Sequence, residues 1–484
     1  MQKSIFCKGI LLLTAGFSLF LGGCSTNPAT GRSQFDGLMS RESEASIGAQ
    51  QHDEIVAQYG GVYKDAGLQA YVNEIGQRVA RNTERRDVNY KFTLLDSPIV
   101  NAFALPGGYV YVTRGLLAVA NDEAELAGVL GHEIGHVTGR HQAARYSQGV
   151  LTTLGASIVG AAVGDANITR ALGVGNNLYM SSYSRDQEME ADALGIRYLS
   201  RAEYDTQAMG SFLGAMGRYV ALEGRIEGKE DQSASYFSSH PQTQERVSAA
   251  AREARSYPPA TSDRGADRYL KAISGMTYGD SADQGFVRGR DFYHPSLGFT
   301  FKIPANYQVS NQPTRIAAAG PDGSLIVVDR AQNRRGLDPV NYLVQDWMQG
   351  ERMNNPEEIT INGMRAATDS FPGTMNGRQV NIRVVAIEWS RNEVYRFQIA
   401  IPAGLGTAAL DDLKSTTYSF RRMTDAERAT QKPQRIALVK AGAGDTVETL
   451  ARRMQVDKAP AERFRVLNDV TQVTPGRTYK IITD

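Results

Sequence analysis

Cysteine is nearly absent from this chain. Its 484 residues include two, Cys7 and Cys24, both among the first two dozen positions. No zinc ribbon, iron–sulfur cluster or disulfide framework can be built from them. An excess of one charge is missing too: Lys and Arg total 53 against 52 for Asp and Glu. That balance removes the electrostatic reason for a nucleic-acid partner, and none is expected. Long apolar runs are lacking as well. The stretches 10–21 and 149–164 fall short of the ~20 residues that a membrane-spanning helix wants. What remains is ordinary for a globular protein, 42% hydrophobic and 22% charged, and the length argues for two to four domains.

The N-terminal segment reads as an address. Lys3 and Lys8 precede the apolar run, and Gly22-Gly23-Cys24 closes it, the pattern of a secretory signal. Leu21-Gly22-Gly23-Cys24 also resembles the bacterial lipobox, whose cysteine is lipidated and becomes the mature N-terminus. Residues 1–23 are therefore expected to be a lipoprotein signal peptide. By that resemblance, Ser25 favours the outer membrane, which places the protein in the bacterial periplasm, anchored to the membrane through Cys24. Residues 24–36, polar with Pro28 and Gly31, read as a flexible tether.

Three blocks follow, giving an α+β multidomain chain. Residues 37–275 are mainly helical, with Ala- and Leu-rich amphipathic stretches and a short β segment near Tyr109–Val112. Residues 286–422 switch to alternation, as in Phe299, Phe301 and Ile303, and form a β-rich α+β accessory domain with short helices near Pro339–Met348 and Ala408–Ser415. Its one histidine, His294, reads as a turn residue before Pro295. Residues 423–433 are a charged linker, and 435–484 a small unit of their own. The apolar 149–164 stretch reads as buried helix or loop near the site.

The strongest chemical signal is His132-Glu133-Ile134-Gly135-His136. On a helix, positions i and i+4 share a face, so both imidazoles can reach one metal ion while Glu133 stands beside them as a base. Asp122 and Glu125 fit a capping box for that helix, and Leu126, Val129 and Leu130 supply a buried face. Gly135 and Gly139 weaken helix propensity by about 1 kcal/mol each, which implies close packing against another element. A third protein ligand is required. A histidine at position 142 would serve, but that residue is Gln142 and His141 is one place out of register. The alternative is a carboxylate from a second helix. In Ser184-Arg185-Asp186-Gln187-Glu188-Met189-Glu190-Ala191-Asp192, Glu188 and Asp192 lie on one helical face. Glu188 is then the third ligand, and Asp192 orients a ligand histidine from behind. Glu190 points away from that face, and its loss should leave the metal in place.

Together with Asn101-Ala102-Phe103-Ala104-Leu105-Pro106-Gly107-Gly108 and His240-Pro241 followed by Arg246, these motifs resemble metallopeptidase family forty-eight over roughly Met39–Ala250. The resemblance implies a zincin-like fold, one Zn2+ per chain on His132, His136 and Glu188, and polypeptide substrates in the envelope. It implies that Glu133 takes the proton of a zinc-activated water during peptide hydrolysis. It offers His240 or Arg246 as the oxyanion donor, or His240 as a cover over the zinc. The Tyr109–Thr113 strand could pair with an extended substrate. The last fifty residues, with Gly444-Asp445-Thr446-Val447, Val466-Leu467-Asn468 and Tyr479-Lys480-Ile481, resemble the βααβ LysM module, which makes peptidoglycan a candidate partner. The expected function is a zinc endopeptidase for misfolded or misassembled envelope proteins. A narrow processing protease or an assembly factor with little proteolysis are the alternatives.

Overall fold

Capping side chains start the helices that carry the site. A computed structural model describes residues 24–150, 182–227, 236–242, 244–258, 263–349, 351 and 353–484. The signal-peptide segment and nearly all of the apolar 149–164 stretch lie outside the described residues. Strands β1 (Cys24–Thr26) and β2 (Ser33–Phe35) form an antiparallel hairpin, followed by α1 (Arg41–Gln58). Asp65 caps α2 (Ala66–Ala80), whose Leu68, Val72, Ile75 and Val79 make one buried stripe. Strands β3 (Lys91–Leu95), β4 (Ala102–Leu105) and β5 (Tyr109–Thr113) lead into α3 (Arg114–Val119). Asp122 opens α4 (Glu123–Thr138) by accepting from the Glu125 amide at 2.8 Å. The capping box there is half formed, because Glu125 accepts from the amide of Asn121 (2.9 Å), one residue too far back. Ser184 and Gln187 make the full box ahead of α5 (Arg185–Arg201). Helices α6 (Ala208–Glu227), α7 (Tyr236–Ser239), α8 (Gln244–Arg255) and α9 (Ala266–Ile273) follow.

Helix α4 is buried on every side, not on one face. Its tightest neighbour is α5. A Cβ on Gly135 would lie 2.9 Å from the Ala191 carbonyl oxygen, and one on Gly195 would lie 3.0 Å from the His132 amide nitrogen. The two backbones can approach this closely only because Gly131, Gly135 and Gly195 carry no side chain. The propensity cost of glycine is thus offset by a helix crossing that sets Glu188 and Asp192 opposite His132 and His136.

The three-stranded sheet has the order β3-β5-β4, with β3 parallel and β4 antiparallel to β5. This corrects the expectation for Tyr109–Thr113. That strand is central, its backbone groups are committed on both sides, and all five residues are buried. Strand addition is open only at a sheet edge, and the edge beside α4 is β4.

The tether expectation is also corrected. Asn27 and Asp36 are among the most buried polar residues, at 1% and 0% exposure. Asp36 accepts from Arg140 at 2.8 Å, and Arg140 also donates to Glu44 at 2.8 Å. Residues 24–36 are a strap fixed to the helical body.

By contact density the chain divides into two units, one with the described parts of 1–56, 61–276 and 435–483, the other with 57–60, 277–434 and 484. In the second unit, β6 (Phe286–Arg288), β7 (Asp291–His294), β8 (Phe299–Lys302) and β16 (Arg421–Arg422) form a four-stranded antiparallel sheet. Strands β9 (Gln308–Gln312), β10 (Arg315–Ala319), β11 (Leu325–Gln332), β12 (Glu357–Ile361), β13 (Met364–Met375), β14 (Arg378–Ser390) and β15 (Glu393–Pro402) form a seven-stranded one, ordered β12-β13-β14-β15-β11-β10-β9. Alternation is clear on β14 and β15: Val385, Ile387, Phe397 and Ile399 join one core cluster, Val384, Ala386 and Val394 the other. Helices α10 (Pro339–Tyr342) and α11 (Thr407–Tyr418) fall near the expected helical patterns. The expected linker contains a short helix, α12 (Asp425–Thr430). His294 ends β7 buried, its Nδ1 accepting from the Leu297 amide at 3.3 Å. Burial pushes its pKa down to about 4, so it is neutral.

The C-terminal segment runs β17 (Arg435–Lys440), α13 (Val447–Ala451), α14 (Pro460–Asn468) and β18 (Thr478–Thr483), with β17 and β18 antiparallel. It packs within the first unit. Lys480 is fully buried, and its Nζ donates to the carbonyls of Ala118 (2.8 Å) and Ala120 (2.7 Å) just ahead of α4. Arg463 pairs with Glu223 on α6. No described helix is long and apolar enough to cross a membrane.

Candidate metal centre

His132 and His136 turn their Nε2 atoms toward each other across one helical turn, 3.0 Å apart. From α5, Glu188 brings Oε1 to 3.3 Å from His136 Nε2 and Oε2 to 3.5 Å from His132 Nε2. His240, just after α7, places Nδ1 2.9 Å from Glu188 Oε1 and 3.2 Å from His132 Nε2. One ligand atom from each of these four residues lies within 4.8 Å of all the others, and all four residues are buried. Among the described residues this is the one such group. Glu133 is fully buried beside it, with Oε1 3.4 Å from His240 Nε2.

The electrostatics follow from burial and from neighbouring charge. Burial raises the Glu133 pKa, and the nearby cationic groups recover only part of that shift. Burial alone would raise Glu188 as well, but His240, His136 and His132 outweigh it and hold the carboxylate well below its ordinary range. Burial drives His136 well below its ordinary value, so its ring is neutral, the form a metal ligand needs. Burial would lower His240 too, yet Glu188 and Glu133 lift it above the ordinary value.

Every residue expected at the site from the sequence lies in this cluster except Cys24, which is on β1. Asp192 Oδ1 stands 2.9 Å from His132 Nδ1, behind the ligand atom. Arg246 on α8 forks onto Asp192, with Nε at 2.6 Å and Nη2 at 3.0 Å, and its Nη1 pairs with Glu188. Nη1 also donates to the carbonyls of His240 (3.3 Å) and Pro241 (3.1 Å). Each guanidinium nitrogen is therefore engaged by the protein.

Other residues escaped the sequence reading. The Tyr183 ring stacks on His136 at 3.7 Å, and Tyr236 stacks on His240 at 4.5 Å. Gln142 donates to the Tyr183 hydroxyl (2.9 Å) and to the Ala104 carbonyl on β4 (3.4 Å). His141 Nδ1 lies 2.8 Å from His136 Nδ1. Its sequence signal was a histidine five residues beyond the motif, off the ligand face of any continuous helix.

Compared with models of known families, residues 67–254 match peptidase family M48. The chain carries an M48 peptidase domain. The matched residues include His132, Glu133, His136, Glu188, Asp192, His240 and Arg246. Related chains include the beta-barrel assembly-enhancing protease of Escherichia coli (strain K12), 34% identical over 189 residues, 36% of this chain and 39% of that one. The metalloprotease YcaL of the same strain is 32% identical over 177 residues, 36% of this chain and 65% of that one. The mitochondrial metalloendopeptidase OMA1 of Schizosaccharomyces pombe is 27% identical over 226 residues, 46% and 63%. The alignments span only 35–41% of the length of the beta-barrel assembly-enhancing proteases.

The match of residues 67–254 to peptidase family M48 implies a divalent metal, and the residues fit one. The donor set is two neutral-capable imidazoles and a carboxylate, with a third imidazole in the fourth position, which suits a borderline cation. Both oxygens of Glu133 are buried with no hydrogen-bond partner among the described residues. A buried carboxylate in that state is costly unless a water or substrate is to meet it.

Proposed function

We propose that the chain is a zinc-dependent endopeptidase of the bacterial cell envelope, acting on misfolded or misassembled envelope polypeptides. The observation that carries this reading is Glu133, buried, with neither oxygen hydrogen-bonded among the described residues, and beside the convergent His132, His136 and Glu188. One zinc ion on those three residues would supply a Lewis acid that polarises a peptide carbonyl and acidifies water. Glu133, its pKa raised by burial, accepts the proton of the attacking water and returns it to the leaving amine nitrogen. His132 is oriented by Asp192, and Arg246 is a positioning residue that fixes Asp192 and Glu188 against each other. His240 lies with Nδ1 in the ligand cluster, a placement that supports a covering, restraining role in this conformation. Moving outward, the same ring could donate to a developing oxyanion. An extended substrate would lie along the β4 edge.

Anchorage through a lipid on Cys24, residence at the outer membrane, and glycan binding by the C-terminal βααβ segment complete the proposal. Names of relatives that mention β-barrel assembly support an envelope setting. The test is metal analysis with hydrolysis of an unfolded protein, wild type against Glu133→Gln. Both should hold about one zinc, and hydrolysis should fall about 10²–10⁴-fold in the variant. Equal hydrolysis by the two proteins would overturn the reading.

A further inference from the structure

We propose that the strap at residues 27–36 is part of the metal centre, positioning His136 through Glu190 and His141. The inference rests on the reading of His136 as a metal ligand and extends it to residues outside the ligand set.

With Nε2 of His136 facing the ligand cluster, its Nδ1 must carry the proton and needs an acceptor. The atom in place is His141 Nδ1, at 2.8 Å. His141 can accept there only if its own proton sits on Nε2. That nitrogen faces Glu190 Oε1 at 3.7 Å, beyond hydrogen-bond length but within ion-pair range. The carboxylate favours the proton on the near nitrogen, and so leaves Nδ1 free to accept. Glu190 is in turn held by the strap. Asn27 donates through Nδ2 to Glu190 Oε1, and Thr30 Oγ1 donates to the same oxygen at 3.4 Å. Asn27 is itself fixed, its Oδ1 accepting from the amides of Ala29 (2.9 Å) and Thr30 (3.3 Å).

The strap also determines how His141 comes to be there. On an uninterrupted helix, residues 136 and 141 would project about 140° apart. Helix α4 instead ends at Gly139, and Arg140 adopts φ 55°, the left-handed region. Glycine usually takes that position, and an arginine there costs about 1 kcal/mol or more. It is held by its guanidinium, on Asp36 (2.8 Å), Glu44 (2.8 Å) and the Met39 carbonyl (2.6 Å). This turn swings His141 back over His136. Two strap residues thus act on the site, Asp36 by fixing the turn and Asn27 by fixing Glu190. On this proposal Glu190, which lies off the ligand face, has a part that the helical spacing alone does not assign.

The test measures zinc affinity of the intact chain by competition with a chromophoric chelator. His141→Leu removes the acceptor and should weaken zinc binding 10–100-fold, the range for outer partners of ligand histidines. His141→Asn places an oxygen near the Nδ1 position and should restore most of it. Glu190→Ala and Asn27→Ala should each weaken binding several-fold, toward the low end of that range. Histidine ¹⁵N shifts of the metal-free protein should place the His136 proton on Nδ1 in wild type and mix the tautomers in His141→Leu. Should Asn27→Ala and Glu190→Ala bind zinc like wild type while His136→Ala does not, the inference falls and the ligand reading stands. Wild-type zinc binding by His136→Ala would instead overturn the ligand reading itself. If His141→Leu does not fold, the variants at positions 27 and 190, on other elements, still decide the question.

Discussion

Arg246 and Lys480 are both fully buried cations, and their environments act on them in opposite senses. At the metal centre, burial would lower the Arg246 pKa, but Asp192 and Glu188 more than restore it and the guanidinium is charged at every accessible pH. At the junction with the C-terminal segment, burial pushes Lys480 down to about 7, with Glu125, Asp122 and Asp469 recovering only part of the loss. Among the described residues, Lys480 bonds to two carbonyls and to no carboxylate. Burial depth is the same in both places; the partner decides the outcome. A guanidinium forked on carboxylates is a permanent clamp, whereas an ammonium on carbonyls titrates near neutrality.

The largest effect should come from removing the clamp. Arg246→Met leaves two carboxylates buried without their cation, which typically costs about 3–5 kcal/mol. Urea unfolding of the metal-free protein should register that loss. At pH 7, Lys480→Met should cost less, because the variant sheds a charge that was expensive to bury and loses only two hydrogen bonds to carbonyls. Equal losses at the two positions would break the contrast.

How much of this was legible in sequence depended on range. The spacing His132–His136 and Glu188–Asp192 follows from the helical period, so both pairs could be placed on faces without knowing the fold. Alternation on Val394–Ile401 likewise announced a strand. His141 was not legible, because its approach to His136 requires a left-handed Arg140, and that requires Asp36 a hundred residues away. Asn27 looked like linker composition for the same reason. The central place of Tyr109–Thr113 depends on pairing with two other segments, which no local pattern encodes. Lys480, between Tyr479 and Ile481, gives no local sign of burial, and only packing against Ala118 and Ala120 buries it.

An intermediate effect should come from the helix crossing that joins the two halves of the metal centre. Gly135→Ala puts a methyl 2.9 Å from the Ala191 carbonyl oxygen, backbone that cannot move aside without shifting Glu188. A loss of about 1–3 kcal/mol is expected, with weaker metal binding. Gly128 lies on the same helix, but its added methyl would meet nothing closer than 3.5 Å. Gly128→Ala should therefore be neutral or gain up to about 1 kcal/mol from helix propensity. Thermal unfolding of the pair isolates the crossing from the intrinsic cost of glycine. Similar shifts in both would mean that the seam does not position the ligands.

The smallest effect is a slope with pH at the Lys480 end. A lysine ordinarily loses its proton near pH 10.4, and in the folded protein it does so at about 7. Between those values the unfolded chain binds more protons than the folded one, so folding stability should rise with pH. The contribution is fully present above the unfolded pKa and is lost as pH falls through about 7. Glu125 runs the other way: burial first, then Asp122, push it up to about 7. Its contribution is present below the unfolded carboxylate value and is lost as pH rises toward 7. Near neutrality the pair therefore stabilises the junction least. Comparing wild type with Lys480→Met by urea unfolding at pH 7 and pH 8 removes background titrations common to both. The wild type should gain on the variant over that range, by at most about 1.4 kcal/mol per pH unit. Parallel curves would mean that Lys480 keeps its proton in the fold, and the contrast with Arg246 would then be one of geometry alone.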